Sequence, residues 1–197
     1  LAGSLLSEPR EIRIEPEKPT VDGVTHSVRF LARENKFPNL VDLLDERKGQ
    51  RCLVFSRTRH GSSKLAKRLG QAGIHSDAIH GKKTQAARQK SLNGFRDGKV
   101  KVLVATDVAA RGIDVKEIAL VVNFDLPMEP DSYVHRIGRT ARAGATGQAI
   151  SLCAREEINL LRGVEKSLGR TVAEDADHVH HCRQTAGQRS GPKGNGN

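Results

Sequence analysis

Aromatic residues are scarce in this sequence, which has no tryptophan, one tyrosine and five phenylalanines. Binding that depends on stacking bases or other flat ligands on aromatic rings is therefore not expected to dominate. Long apolar runs are also missing, because none approaches the ~20 residues that a membrane span needs. The opening stretch, residues 1–6, is too short for a secretory signal and has no basic residue ahead of it. The first residue is Leu1 rather than methionine, so we expect the chain to be part of a longer protein.

Cysteines are few, odd in number and far apart in sequence, at Cys52, Cys153 and Cys182. This usage argues against a disulfide framework and favours a reducing compartment, so a cytoplasmic location is expected. Cys52 and Cys153 lie in apolar runs, which predicts buried and inert thiols.

Two patterns that suggest ligand sites at first sight are incomplete. The stretch 81–84 reads Gly-Lys-Lys-Thr, but a phosphate loop needs a glycine where Ser76 stands and a serine or threonine where Lys83 stands. The histidines near Cys182 (His178, His180 and His181) lack a second pair of ligands at zinc spacing, so no metal site is expected. No arrangement of serine, cysteine or carboxylate residues suggests hydrolysis by a nucleophile of the chain itself.

The net charge of +10 is concentrated in one part of the sequence. Residues 51–100 contain twelve lysines and arginines but only Asp77 and Asp97 as acids, and 12 − 2 = +10, so the remainder sums to zero. A solvated basic surface is one interpretation. A clustered excess of this size more often indicates a polyanionic partner, bound here through phosphate and ribose contacts.

Short apolar runs alternate with helical stretches of 10 to 15 residues, which predicts an α/β fold with a mainly parallel sheet covered on both faces. The runs are apolar throughout, as strands buried on both sides should be. Residues 1–24, with three prolines among charges, are predicted to be a linker. The folded domain is predicted over 25–172, and the polar segment 173–197 is predicted to be a disordered tail.

Polar residues follow four of the predicted strands. Ligands of open parallel sheets bind beyond the carboxyl ends of the strands, so these residues should lie along one rim. They are Ser56-Arg57-Thr58, His80-Gly81-Lys82, Thr106-Asp107 and Asp125-Leu126-Pro127.

The turn after the third of these strands, 105–114, suits an anion. Thr106 and Asp107 can cap it and leave backbone N–H groups facing outward, while Gly112 permits close approach and Asp114 can accept from a ribose hydroxyl. Ordinary capping with an ion pair between Arg111 and Asp114 is the alternative.

Three arginines recur at every third position from Pro130 onward: Arg136, Arg139 and Arg142. If a helix continues past Gly138 they share one side, where they would repel each other unless an anion lay between them. Arginine suits a phosphate clamp because its planar group stays charged and binds phosphate in a bidentate manner. A solvated basic helix face is the alternative.

These segments together resemble the C-terminal helicase domain of the DEAD-box RNA helicases, and most closely the bacterial RhlE-type subgroup. The resemblance covers residues 24–172. Its elements, in chain order, are Leu53–Thr58 (motif IV), Gln85–Arg88 (the QxxR element), Ala105–Asp114 (motif V), Val122–Pro127 and His135–Arg142 (motif VI). The family fold is a RecA-like three-layer α/β/α sandwich, related to P-loop nucleotide hydrolases but here without a phosphate loop.

The resemblance implies a role for each matching position. Arg139 and Arg142 resemble arginine fingers that reach ATP, and Gly112 with Asp114 resembles the ribose contact. His135 and Arg136 resemble residues that couple the nucleotide site to the RNA site. The RNA backbone contacts are implied for Thr58, Arg59, Gly81, Gln85, Arg88, Thr106 and Asp107.

The family's first domain, with its phosphate loop and Asp-Glu-Ala-Asp and Ser-Ala-Thr motifs, is absent from these residues. ATP and Mg²⁺ would be held mainly by that domain, so the chain alone is expected to be inactive. RNA and the first domain are the expected partners, with no membrane. Ala141 stands where many members have glycine, a departure that the subgroup shares. Two other interpretations remain open: a DNA-directed helicase of the same superfamily, and a non-enzymatic RNA-binding module.

Overall fold

The structure is a computed structural model that describes residues 23–111, 113, 115, 118–140 and 147–189. Its strands are β1 (Val24–Phe30), β2 (Cys52–Phe55), β3 (Ser76–Ile79), β4 (Val102–Ala105), β5 (Leu120–Asn123), β6 (Gly147–Cys153) and β7 (Ala173–Glu174). Its helices are α1 (Lys36–Asp45), α2 (Arg59–Gln71), α3 (Gln85–Arg96), α4 (Asp107–Ala110), α5 (Pro130–Ile137), α6 (Ile158–Leu168) and α7 (Arg183–Gly187). Two 3-10 turns, Arg33–Asn35 and Arg155–Glu157, precede α1 and α6.

All seven strands form one parallel sheet in the order β3-β4-β2-β5-β6-β1-β7. The predicted parallel α/β fold is confirmed. The carboxyl ends of β3, β4, β2 and β5 are neighbours, so the four polar segments predicted to share a rim do so.

The inner strands β2 and β4 are apolar at every position because each face of the sheet is covered. Leu53 and Phe55 of β2 pack into one core cluster, and Cys52 and Val54 pack into the other. Helices α1 and α2 cover the second cluster, whereas α5 and α6 cover the first. The result is the three-layer α/β/α arrangement of a RecA-like domain.

The thiols of Cys52 and Cys153 are buried, as predicted from their apolar runs. Burial raises the pKa of Cys52 to about 11 and that of Cys153 to about 12. Both side chains are therefore protonated at neutral pH, which is the unreactive form of cysteine. The three cysteines are all free.

The prediction of a disordered tail over 173–197 is wrong for residues 173–189. Two backbone amides, of Asp175 and Cys182, donate to the carbonyl oxygens of Val28 and Phe30 in β1, each at 2.9 Å. The carboxylate of Asp175 accepts from Arg29 Nε at 2.7 Å. This segment has few apolar residues, but it docks through the backbone groups of an otherwise unpaired sheet edge, which composition alone does not reveal. Residues 190–197 lie outside the described part of the chain, as do residues 1–22 of the predicted linker.

Within the described ranges, no helix has the length and hydrophobicity needed to cross a bilayer. The histidines of the tail contact individual partners: His180 Nε2 lies 2.8 Å from Asp42 Oδ2, and the rings of His178 and His181 meet edge to face. No three His, Cys, Asp or Glu side chains among the residues so described come together as a metal site.

Candidate nucleotide and RNA interface

The rim is held together by hydrogen bonds between successive strand ends. Ser56 Oγ donates to Asp125 Oδ2 at 3.1 Å, and the backbone N–H of Arg57 donates to the same oxygen at 2.9 Å. These bonds fix the turn after β2 to the turn after β5. Two of the four polar segments that sequence analysis placed at this edge are therefore joined directly.

Helix α2 begins at the rim because Thr58 caps it. The Thr58 hydroxyl accepts from the backbone N–H of Gly61 at 2.9 Å, which satisfies a group that the helix itself leaves unpaired. A Cβ atom at Gly61 would lie 2.8 Å from Thr58 Oγ1 and 2.9 Å from Ser56 Oγ, so this tight turn requires glycine. Thr84 caps α3 in the same way, accepting from Ala87 at 3.3 Å.

The residues expected to contact RNA lie along this surface with unequal exposure. Thr58, Arg59, Gly81 and Gln85 are exposed, and Arg88 is half-buried. Thr106 is buried, at 7% exposure, and its side chain makes no capping hydrogen bond although it occupies the N-cap position of α4. The prediction that the Thr106 side chain caps this turn is therefore wrong.

Asp107 has a role that sequence analysis missed. Its two carboxylate oxygens accept from Arg136, with Oδ1 2.6 Å from Nε and Oδ2 2.8 Å from an Nη atom. This bidentate pair joins the turn after β4 to the end of α5. The alternative for this turn, an ion pair between Arg111 and Asp114, stays a prediction. Gly112 and Asp114 lie outside the described residues.

Arg136 is an interior residue and not part of an exposed row of cations. It is 2% exposed, and a further Nη atom donates to Asn123 Oδ1 at 3.1 Å and to the Asp125 carbonyl at 2.7 Å. The guanidinium lies 5.0 Å from the centre of the Phe55 ring. The prediction that three arginines share one side of a helix is therefore wrong for Arg136.

The reason lies in where α5 ends. The helix stops at Ile137, and Gly138 forms its C-cap, so Arg139 belongs to the turn that follows. Tyr133, Val134 and Ile137 form the buried stripe of the helix, and Arg136 falls within the same stripe. The sequence could have indicated this burial, because Arg136 lies three residues after Tyr133 and directly before Ile137, within the apolar stripe of the helix.

Arg139 lies at the rim, beside an open cavity of about 260 Å³. Its Nε donates to the carbonyl of His135 at 3.1 Å, and an Nη atom donates to the carbonyl of Ile113 at 3.4 Å. The cavity walls include Phe55, Asp107, Ala110, Arg111, Ser132, His135 and Arg136. The structure thus brings Arg139, His135 and Arg136 together around one space, while Arg142 lies outside the described residues.

His80, directly before Gly81, is buried and contacts the second turn of α2. Its Nε2 lies 2.9 Å from Ser63 Oγ, which links the ends of two segments expected to contact RNA. Burial lowers the pKa of His80, and the neighbouring cations of Lys83, Arg59 and Lys82 lower it further. Burial likewise lowers the pKa of His26 and that of His178.

These three histidines predict a loss of stability in mild acid. Between the lowered folded-state pKa values and the unfolded value of about 6.5, the unfolded chain binds more protons, so the free energy of unfolding rises with pH. Stability should be fully present above that range and should fall as the pH is lowered through it. Denaturant unfolding across this range checks the sign, and His80→Asn should remove part of the slope while leaving the contributions of His26 and His178.

A flat pH profile for the wild-type chain between neutrality and mild acid would contradict this prediction. Above this pH range the wild type and His80→Asn both carry a neutral side chain at position 80. The difference between their free energies of unfolding there isolates the effect of packing.

Comparisons with known proteins agree with this geometry. Residues 35–144 match the family described as the helicase conserved C-terminal domain. The chain is 39% identical over 172 residues to the DEAD-box ATP-dependent RNA helicase CshA of Bacillus subtilis, covering 87% of this chain and 35% of that protein. The chain thus spans about a third of the length of that relative.

Solved structures show the same likeness. The E. coli DEAD-box protein SrmB, in a crystal structure with the regulator of ribonuclease activity A, is 40% identical with a TM-score of 0.71, over 77% of this chain and 89% of that chain. Dbp5 of S. cerevisiae, bound to RNA and ADP BeF3, is 30% identical with a TM-score of 0.77, over 85% of this chain and 46% of that chain. The chain therefore belongs to the helicase conserved C-terminal domain family, as a C-terminal domain of the DEAD-box RNA helicase type.

Proposed function

We propose that this chain is the second RecA-like domain of an ATP-dependent RNA helicase of the RhlE-like subgroup. The ion pair between Arg136 and Asp107 is the observation that carries the proposal. It connects the segment that resembles the nucleotide contacts to the segment that resembles the RNA contacts, at a rim where Arg139 borders an open cavity. A buried bidentate pair of this kind transmits a shift of one segment to the other, which is the coupling role proposed for His135 and Arg136.

The nucleotide part of the proposal concerns ATP bound on a separate first domain. Closure of the two domains places Arg139 and Arg142 against the terminal phosphate, and Gly112 with Asp114 against the ribose. Arg139 suits this role because it is fixed by two backbone carbonyls and lies at the rim. Mg²⁺ is held by carboxylates of the first domain, so this chain alone does not hydrolyse ATP.

The RNA part concerns the strand ends of β2, β3 and β4. The backbone of a single strand lies across Thr58, Arg59, Gly81, Gln85 and Arg88, within the segment that holds the whole net charge. Asp107 completes the path through its backbone N–H group, since its carboxylate is held by Arg136. Thr106 contributes through its side chain, because its backbone N–H donates to the Ile79 carbonyl at 3.3 Å. Phosphate and ribose contacts, rather than base contacts, supply the affinity.

The salt dependence of RNA binding tests this part. The affinity of the chain for a single-stranded homopolymer RNA should fall with salt, with a log–log slope of about −0.7 for each phosphate neutralised. Arg88→Ala should reduce that slope by about 0.7 and weaken binding. Lys90→Ala, an exposed cation on the same helix, is the matched control and should leave the slope unchanged.

A salt-insensitive affinity, or equal effects of the two variants, would contradict the proposed RNA path. A DNA-directed helicase would bind or unwind DNA duplexes in preference to RNA in a competition with the two-domain protein. A non-enzymatic module would bind RNA but show no ATP turnover when its complete natural protein is assayed.

The three unbridged cysteines support a cytoplasmic location.

A further inference from the structure

A second cavity, of about 420 Å³, adjoins the rim on the α2 side of the sheet. Thr58 borders both the rim and this cavity, so the two surfaces are continuous. Helix α2 forms one wall through Lys64, Leu65 and Arg68, and the turn after β5 forms the opposite wall through Phe124. None of the contacts proposed above uses this space beyond Thr58.

The two inner acidic side chains of this cavity, Glu157 and Asp125, are already paired, whereas Glu156 at its outer side is 50% exposed and lies 3.4 Å from an Nη atom of Arg33. The carboxylate of Glu157, 3% exposed, accepts from Lys36 Nζ, from an Arg57 Nη atom at 2.9 Å and from the backbone N–H of Leu126 at 3.3 Å. Lys36 Nζ also lies 3.8 Å from Asp125 Oδ1. A buried carboxylate so paired presents little net charge to a ligand.

The α2 wall, in contrast, carries unbalanced positive charge. Lys64 and Arg68 are exposed and one helical turn apart, and no carboxylate among the described residues lies within ion-pair distance of either. The Arg68 guanidinium lies 3.8 Å from the centre of the Phe37 ring, which holds it in place without satisfying its hydrogen-bond donors. Lys67, on the same helix and also exposed, does not border the cavity.

We propose that this cavity is an outer RNA subsite, in which Lys64 and Arg68 bind phosphates of the strand where it leaves the rim. The proposal rests on the RNA path described above, because Thr58 is the point at which the strand enters the cavity. Side chains one helical turn apart lie about 5–6 Å from each other at Cβ, so two cations can engage the backbone of one strand. An arginine fork and a lysine ammonium are both suited to phosphate oxygens.

The position of the cavity favours RNA over an acidic protein segment. It shares Thr58 with the surface on which RNA is proposed to lie, so a strand that passes Thr58 reaches Lys64 and Arg68. The subsite therefore makes RNA affinity depend on strand length: a short strand fills the rim alone, and a longer one reaches the cavity as well.

The test compares two lengths of oligouridylate, one long enough for the rim alone and one longer, binding to the full chain. The double variant Lys64→Ala/Arg68→Ala should weaken binding of the long strand by about tenfold and reduce its log–log salt slope by about 1.4, which is 0.7 for each of the two cations. Binding of the short strand should change less than about twofold, since a rim contact is not removed. Lys67→Ala is the matched control and should behave as the wild type with both strands.

Two further measurements keep the outcomes separate. Arg68→Met retains the stem that packs on Phe37 but removes the charge, so a loss caused by packing would spare this variant. Polyglutamate competition reports on an acidic protein segment as the ligand. If the wild type binds neither oligouridylate, the proposed RNA path itself fails. If short and long strands lose affinity equally, if Lys67→Ala matches the double variant, or if only polyglutamate binding is lost, the subsite proposal is overturned.

Discussion

Replacing Arg139 with alanine, in a protein that carries both helicase domains, is expected to lower RNA-stimulated ATP turnover by about 10³- to 10⁵-fold. An arginine that reaches a terminal phosphate across a domain interface stabilises negative charge that develops in the transition state. A loss of that size corresponds to roughly 4 to 7 kcal/mol of activation free energy. Turnover under saturating ATP and RNA is the measurement.

The geometry of Arg139 explains why a lysine should not rescue this loss. Nε and an Nη atom are bound to the carbonyls of His135 and Ile113, so the guanidinium is positioned by two segments at once. A lysine ammonium is a single point charge on a flexible stem and lacks that planar fork. Arg139→Lys should therefore keep RNA affinity while recovering little of the ATP turnover.

The control for Arg139 is Arg96→Ala. It removes the same charge from the end of α3, near the amino-terminal end of β4 and away from the rim. Turnover of that variant should equal the wild type. Wild-type turnover in Arg139→Ala would remove this residue from the mechanism, and unchanged RNA affinity without ATP would separate catalysis from binding.

Replacing Arg136 with alanine should destabilise the fold by about 3 kcal/mol. Breaking a buried ion pair by removing one partner costs about 3–5 kcal/mol, and the low end applies because the carboxylate of Asp107 is 35% exposed and can be hydrated. Asn123, which is fully buried, loses the donor to its Oδ1 as well. Denaturant unfolding measures the change, and a fall of roughly 6–12 °C in Tm should accompany it.

Arg111→Ala is the matched control for stability, because Arg111 is an exposed cation beside the same cavity. Its effect should stay within about 0.5 kcal/mol, as is usual for surface substitutions. Equal stabilities of the Arg136 and Arg111 variants would show that the pair with Asp107 contributes nothing to the fold. The free energy of unfolding of Arg136→Lys should lie between those of Arg136→Ala and Arg111→Ala, since lysine keeps the charge but not the bidentate geometry.

Much of the fold could be predicted from the sequence, because strands and helices are encoded by residues close in the chain. The apolar run 52–55 has to be buried on both faces, and the alternation of such runs with helical stretches left a parallel sheet as the solution. The rim followed from the same pattern, since polar residues such as Ser56 and Asp125 come directly after buried strands. The buried thiols of Cys52 and Cys153 also followed from their neighbours.

The candidate site could be predicted only in part. Sequence analysis placed Arg136 among exposed phosphate ligands, because a regular spacing of arginines shows periodicity but not the face on which each residue lies. It predicted that Asp107 caps the turn and contacts RNA, and missed that its carboxylate pairs with Arg136. The docked segment 173–189 was missed because its contacts are with backbone groups of β1 and with distant side chains such as Arg29, whose availability depends on the order of the strands.

The sequence by itself determined the alternation of elements, the parallel sheet and the set of polar strand ends, since each depends on periodicity within a few residues. Only the tertiary structure decided which charged side chains pair with each other inside the domain. Asp107 and Arg136 are 29 positions apart, and Lys36 and Glu157 are 121 apart. Ion pairs between such distant residues form because packing of the sheet and its helices brings them together, which no local pattern in the sequence can show.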